Sequence, residues 1–237
     1  MQVYTRYTLM ANTELISYSY SFAIACLGAT TFFLFIQRQQ VATQYRTAVT
    51  LAGIVTLIAC YHYARIDYGH SLGRSIDVYR YVDWLLTVPL LLIEFVLALR
   101  LSESETRSKS FILSVLAVAM IILGYQGEVA PSNSPDALKY FIFSSIPFLL
   151  IIYQLFFGLS KAIAAQPTAS KPMVINARNL IAITWLFYPC VYLLRFKGFE
   201  PSAPFIQIGY TIADILAKAG LGIMVYSIAM RKTISGS

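Results

Sequence analysis

Five ionisable residues interrupt stretches of this chain that are otherwise apolar, and their side chains offer its clearest chemistry. They are Arg80, Asp83, Glu94, Asp214 and Lys218. Near the middle of a membrane-spanning helix each such residue costs about 2.5 to 3.5 kcal/mol even on the lenient insertion scale. They therefore need partners or a function, and a proton path is the functional interpretation. For Arg80, close to a helix end, snorkelling to the surface is the alternative.

Helical spacing groups three of these residues on one face. At 100° per residue, Arg80, Asp83 and Glu94 lie in a stripe about 80° wide, which also holds Thr87 and Leu91. Asp83 and Glu94 are about 16 Å apart along the helix axis, farther than a direct proton hop. Another group must therefore lie between them if they exchange protons.

A second pair lies near the C-terminal end of the chain. Asp214 and Lys218 are one helical turn apart and share a face. On spacing alone, a structural salt bridge and a functional site explain this pair equally well.

The composition places these residues in a membrane. The chain has 237 residues, 58% hydrophobic and 12% charged, whereas soluble domains have about 25% charged residues. This argues against a soluble globular enzyme, a disordered chain, a nucleic-acid binder and a disulfide scaffold. The three cysteines lack metal-ligand spacing, so no metal site is predicted.

Apolar runs of about 20 residues recur about every 34 residues, as expected for helices that cross a bilayer. The predicted spans are 15–36, 47–66, 78–99, 111–124, 140–159, 179–194 and 205–230. We predict a single all-α domain of seven membrane-spanning helices over residues 1–237. Residues 1–14 form an N-terminal segment and residues 231–237 a C-terminal tail in this interpretation.

The lysines and arginines set the predicted orientation. Ten of the eighteen lie in segments on one side of the bundle, and six lie on the other, counting Arg65 at the end of the second span. The remaining two, Arg80 and Lys218, lie farther inside spans. The positive-inside rule then places the C-terminus in the cytoplasm and the N-terminus outside. The net charge of +7 is thus mainly a topology signal. The first 14 residues hold no signal-peptide core, so the first apolar run is predicted to be a true span.

Four motifs carry a family resemblance. The third predicted helix reads RYVDWLLTVPLLLIE over residues 80–94, and the sixth reads WLFYP over 185–189. The seventh reads DILAK over 214–218, and the second reads YHY over 61–63. The sequence resembles the microbial rhodopsins, and specifically the proteorhodopsin and xanthorhodopsin group of light-driven proton pumps, across essentially all seven helices.

The resemblance implies a role for each buried charge. Lys218 would carry covalently bound all-trans retinal as a Schiff base, with Asp83 as counterion and primary proton acceptor. Asp214 would be the second counterion, and Arg80 would balance the cluster toward the outside. The resting charges sum to zero only if Glu94 is neutral, and a carboxyl among apolar side chains is suited to holding a proton. Glu94 would therefore be the proton donor on the cytoplasmic side.

The second-helix histidine is the next implied residue. His62 matches the position that pairs with the acceptor aspartate in proteorhodopsin-like pumps, so we predict that it is the partner of Asp83. A histidine satisfied within the core is the alternative.

A retinal pocket of aromatic, apolar and small polar residues is also implied. Its residues are Trp84, Thr87, Leu91, Met120, Gly124, Ser144, Ser145, Phe148, Trp185, Tyr188, Pro189, Tyr192 and Ala217. Aromatic and methionine residues at helical spacing are usually core, so these are pocket residues by resemblance only.

Two positions and one segment distinguish this chain from some members of the family it resembles. Leu91 occupies the colour-tuning position, where leucine suggests green absorption. Phe141 occupies the position where carotenoid-binding relatives have glycine, and its bulk argues against an antenna carotenoid. The segment 195–200, together with Ile206, lacks the paired release glutamates of bacteriorhodopsin-like pumps.

The resemblance therefore implies light-driven outward proton transport, which would make the chain a transporter and not an enzyme. A sensory rhodopsin that signals through a partner is the alternative, although sensors commonly lack a carboxylic donor at the position of Glu94. Chloride and sodium pumps are disfavoured by Asp83, Thr87 and Glu94, and a retinal-free seven-helix transporter is the remaining class. The resemblance also implies a multi-pass protein of the plasma membrane that forms a pentamer or hexamer in the lipid bilayer.

Overall fold

Seven helices long and apolar enough to cross a membrane dominate a computed structural model that describes residues 2–131, 134–196 and 203–236. Their bounds are Gln2–Gln37, Arg46–Ser71, Asp77–Leu99, Glu103–Val129, Pro135–Tyr153, Lys171–Phe196 and Ala203–Ile215 with its continuation Leu221–Ile234. Among the described residues there is no β-strand. The predicted all-α bundle of seven spanning helices is therefore confirmed.

Several helices extend beyond the apolar runs that predicted them. The fourth begins at Glu103, eight residues before the predicted span, because Ser102 and Glu105 form a capping box at its start. The Ser102 hydroxyl accepts from the Glu105 backbone N–H, and the Glu105 carboxylate accepts from the Ser102 backbone N–H, which satisfies two N–H groups that lie outside the helical ladder. The seventh helix continues to Ile234, into the predicted tail.

Two of the helices contain a π-helical segment within the residues that the structure describes. In the fifth, Gln154–Gly158 continues the helix after Tyr153, and in the seventh, Leu216–Gly220 joins its two α-helical parts. Single π-helical turns are rare and often mark functional sites. The second of these segments contains Lys218, which therefore lies where the helix is locally widened.

The third helix lies at the centre of the bundle. It is the most buried of the seven spans, whereas the fourth and fifth are the least buried. The whole polar stripe of the third helix faces inward, since Arg80, Asp83, Thr87, Leu91 and Glu94 are all buried. The exposed apolar side chains of the fourth and fifth helices suit contact with lipid.

Candidate functional site

The Lys218 amine lies between two carboxylates, one from each of two helices. Its Nζ contacts Oδ2 of Asp83 on the third helix and lies 3.2 Å from Oδ2 of Asp214, one turn away on the seventh. All three side chains are at most 3% exposed. A buried ammonium is tolerated only with nearby countercharge, and two carboxylates provide it here.

Asp214 is held by a full set of hydrogen-bond donors. The Tyr188 hydroxyl and the Trp84 indole N–H donate to Oδ1 at 2.6 Å and 3.2 Å, and the Tyr63 hydroxyl donates to Oδ2 at 2.9 Å. With Lys218 also beside Oδ2, both oxygens are occupied. Donors of this kind favour the ionised form of a carboxyl group, so Asp214 is suited to remaining a fixed negative charge.

Asp83 is held less completely. Its Oδ2 contacts Lys218, whereas its buried Oδ1 has no hydrogen-bond partner among the described residues. Nδ1 of His62 lies 3.8 Å from Oδ1, beyond hydrogen-bond distance, and lies 2.9 Å from the Ile58 carbonyl of its own helix. Of the two carboxylates beside Lys218, Asp83 therefore has the oxygen that can take up a proton.

Arg80 lies toward the predicted outer end of the site. Its Nη2 donates to Oε1 of Gln207 at 2.6 Å, and the Tyr20 hydroxyl donates to the same oxygen at 3.0 Å. The guanidinium carbon lies 4.9 Å from the centre of the Tyr210 ring. Snorkelling does not describe Arg80, because the side chain is buried and bound inside the bundle.

Glu94 lies alone on the other side of Lys218. It is fully buried, and neither carboxyl oxygen has a hydrogen-bond partner among the described residues. Its neighbours along the helix, Leu91, Leu92 and Phe95, belong to the main hydrophobic core. A carboxyl group in such surroundings strongly favours its neutral, protonated form.

A cavity of about 160 Å³ opens beside the Lys218 amine. Every residue predicted for the pocket lines it apart from Thr87, and Phe141 and Lys218 line it as well. Thr87 is buried instead against its own helix, where its hydroxyl donates to the Asp83 backbone carbonyl at 2.7 Å. The walls are mostly aromatic and apolar, and Lys218 and Asp214 are among the charged residues that line them.

Comparison with known proteins identifies the family. A family model described as bacteriorhodopsin-like protein matches residues 14–232. The chain belongs to the bacteriorhodopsin-like family.

Individual relatives place this microbial rhodopsin more closely. It is 34% identical to the green-light absorbing proteorhodopsin of Gamma-proteobacterium EBAC31A08, over 91% of this chain and 86% of that protein. The structure of xanthorhodopsin, described as a light-driven ion pump with dual chromophore, matches with 37% identity and a TM-score of 0.89, over 95% of this chain and 96% of that one. Sensory rhodopsin-2 of Natronomonas pharaonis is 26% identical, over 84% of this chain and 83% of that protein.

The described cavity fits the retinal that this family implies. An elongated apolar chromophore needs apolar and aromatic walls and a buried amine to which it can be attached. The cavity provides such walls, and Lys218 is the lysine that lines it. Asp83 and Asp214 supply the negative charge that a protonated nitrogen would need at this depth.

Several residues of the site were missed by sequence reasoning. Gln207 and Tyr210 lie seven and four positions before Asp214, on the same helix face. The spacing places Tyr210 on the face shared by Asp214 and Lys218, but no role was predicted for it, and the same spacing held a signal for Gln207. Asp77 and Glu128 also line the cavity, and their positions gave no such signal. Ile206 also lines the cavity. The segment 195–200 was predicted to lack the paired release glutamates, and its residues 197–200 lie outside the described residues.

Phe141 closes one side of the cavity together with Tyr192. Their rings stack nearly parallel, with centroids 5.0 Å apart and planes inclined by 7°. A second chromophore at this position would have to displace a stacked aromatic pair. We therefore still expect that the protein does not bind an antenna carotenoid.

We expect His62→Met to shift the pH titration of the pigment's absorption maximum by about one pH unit toward higher pH. The imidazole Nδ1 lies 3.8 Å from Oδ1 of Asp83, which has no hydrogen-bond partner among the described residues, and methionine cannot stabilise a carboxylate there. His70→Met is the matched control, because His70 is the chain's other histidine and its ring packs against Tyr20. If His62→Met does not change the pH titration of the absorption maximum, His62 is not the partner of Asp83.

Proposed function

We propose that this rhodopsin is a light-driven pump that moves protons out of the cell and carries all-trans retinal on Lys218. The observation that supports it is the placement of two unlike carboxyl groups on one face of the third helix. Asp83 contacts the Lys218 nitrogen, and Glu94 lies three turns toward the predicted cytoplasmic end. Within the described part of the chain, neither Oδ1 of Asp83 nor the carboxyl oxygens of Glu94 have a hydrogen-bond partner. One group is suited to accepting a proton and the other to supplying one.

Bound retinal would supply a light-triggered isomerisation beside the Lys218 nitrogen. The chain's own residues do the rest. The Asp83 carboxylate, whose Oδ2 contacts the Lys218 nitrogen, accepts the proton that leaves it, while Asp214 stays ionised because Tyr63, Trp84 and Tyr188 hold it. Glu94 then returns a proton to the same nitrogen and is reprotonated from the cytoplasm.

Directionality depends on which side each carboxyl group faces. Arg80 and Gln207 lie between Asp83 and the predicted outer end, and Arg80 leaves its Nη1 without a partner among the described residues. The positive charge of Arg80 on that side stabilises the ionised form of Asp83, which favours release of its proton toward the outside. This charge order supports the outward direction.

The decisive test is to illuminate cells supplied with retinal in unbuffered medium and to follow the external pH. We expect acidification that a protonophore abolishes and that cells without retinal do not show. No pH change from a pigment that still completes a photocycle would favour the sensory alternative and overturn the pump. Alkalinisation would reverse the proposed direction.

We expect Glu94→Gln to slow the return of the proton to the Lys218 nitrogen about a hundredfold, which is typical for the loss of a positioned proton donor. Glutamine keeps the size of the side chain but cannot supply a proton. Flash photolysis at neutral pH measures the step as recovery of visible absorption, and added azide, a small weak acid, should restore the rate.

Glu105→Gln is the matched control, since Glu105 is exposed and caps the fourth helix. If Glu94→Gln recovers at the rate of the unaltered protein without azide, Glu94 is not the donor.

The remaining expectations concern the assembly. The resemblance favours a pentamer or hexamer in the plasma membrane, and the exposed apolar faces of the bundle could contact either lipid or neighbouring copies. Cross-linking in native membranes would give the number of subunits.

A further inference from the structure

The cytoplasmic end of the third helix is bound by two side chains from other parts of the fold. The helix ends at Leu99, so its last carbonyls have no partner within the helix. Lys232 Nζ donates to the Ala98 carbonyl at 2.7 Å, and Gln166 Nε2 donates to the Leu99 carbonyl at 2.9 Å. One donor comes from the seventh helix and the other from the segment that joins the fifth and sixth.

Lys232 is a buried cation that the sequence placed among the cytoplasmic surface charges. It is only 2% exposed, and its ammonium lies 5.7 Å from the centre of the buried Tyr45 ring. Burying a lysine is costly, and this one contributes nothing to the cluster around Asp83. Its position therefore calls for an explanation of its own.

The position of both contacts relative to Glu94 supplies that explanation. Ala98 follows Glu94 by one helical turn, a rise of about 6 Å toward the cytoplasm. Glu94 is fully buried and must be reprotonated from that side if it is the donor. Lys232 and Gln166 thus lie between Glu94 and the cytoplasm, tied to the helix that carries it.

Gln166 also links the third helix to the fifth-to-sixth connection. The same Nε2 donates to the Ala162 carbonyl at 2.9 Å, within the short helix Ser160–Ala164. The side-chain oxygen of Gln166, Oε1, is buried without a hydrogen-bond partner among the described residues. A polar atom left in this state lowers the cost of opening the contact to water.

We propose that Lys232 and Gln166 form a cytoplasmic seal, and that breaking their hydrogen bonds to Ala98 and Leu99 sets the rate at which protons reach Glu94. The role of this seal in proton transport rests on the proposed function. The seal itself concerns access to a buried carboxyl group and can be tested in the dark. Both are positioning residues, since neither touches the Lys218 nitrogen.

The test is hydrogen–deuterium exchange of the Glu94 carboxyl group in the purified protein, kept in the dark after transfer to D2O. Infrared spectroscopy follows its C=O stretch, which is identified as the band that Glu94→Gln removes. We expect Lys232→Met and Gln166→Leu each to accelerate the exchange about tenfold, because each removes one hydrogen bond to the end of the third helix that the opening reaction must break.

Lys171→Met is the matched control. Lys171 also donates to a backbone carbonyl, that of Ala164 at 3.1 Å, but it does not tie down the third helix. We expect this variant to exchange at the rate of the unaltered protein. Gln166→Leu carries the test alone if Lys232→Met does not fold.

Three results would overturn the seal: unchanged exchange in both variants, equal acceleration in Lys171→Met, or the absence of a band that depends on Glu94. The outcome is separable from that of the proposed function. If the variants exchange faster but the protein does not acidify its medium, the seal is supported and the pump is rejected. If the protein acidifies its medium but the variants exchange at the unaltered rate, the pump is supported and the seal is rejected.

Discussion

Asp83→Asn is expected to abolish light-driven proton transport while the protein still forms a pigment, with its absorption maximum shifted to the red. Asparagine keeps the size of the side chain beside the Lys218 nitrogen but has no oxygen that can accept a proton. Asp214 cannot substitute, because Tyr63, Trp84 and Tyr188 already donate to it. Transport should therefore fall to the background of cells without retinal.

The expected colour change has a separate physical cause. Asp83 is one of two negative charges in contact with the Lys218 nitrogen, and neutralising it removes about half of the local countercharge. A less stabilised positive charge at that nitrogen delocalises into an attached chromophore, which lowers the excitation energy. Absorption spectra of the purified variant measure this effect without any transport assay.

Asp136→Asn serves as the control for Asp83→Asn. It makes the same substitution at an exposed acid that pairs with Lys139 at 2.9 Å on the surface, where ion pairs contribute little. Colour and transport should both stay as in the unaltered protein. Acidification by Asp83→Asn at the usual rate would contradict the proposed acceptor.

The helices were predictable because apolar runs of spanning length leave few alternatives, but their ends were not. The fourth helix starts eight residues before its apolar run, where Ser102 and Glu105 cap each other's backbone. That capping box is a local motif that could have been found from the sequence. The π-helical turn around Lys218 could not, since it depends on how the seventh helix packs against its neighbours.

The stripe of Arg80, Asp83 and Glu94 could be predicted from the sequence, whereas the partners of Asp214 could not. Residues on one helix keep their relative positions whatever the tertiary structure is, whereas Tyr63 and Trp84 reach Asp214 from other helices. Lys232 shows the limit of counting charges by segment. It lies at the predicted membrane boundary, and only packing against Tyr45 and the end of the third helix decides that it is buried.

Lys218→Ala is expected to abolish pigment formation completely. The amine is the proposed attachment point for retinal, and alanine offers no nucleophile in the cavity. Addition of all-trans retinal to the purified variant should give no visible band beyond that of free retinal. The same addition to the unaltered chain should give one, and its failure there would favour a retinal-free seven-helix protein.

Loss of the amine also has a cost in stability, which must be separated from the loss of binding. Lys218→Ala leaves Asp83 and Asp214 buried without their cation, and breaking a buried ion pair in this way costs about 3 to 5 kcal/mol. The double variant Lys218→Ala with Asp83→Asn removes one of the two unbalanced carboxylates. It should recover part of that stability, measured by thermal unfolding, and still form no pigment. A visible band of normal intensity in either variant would place the attachment at another lysine.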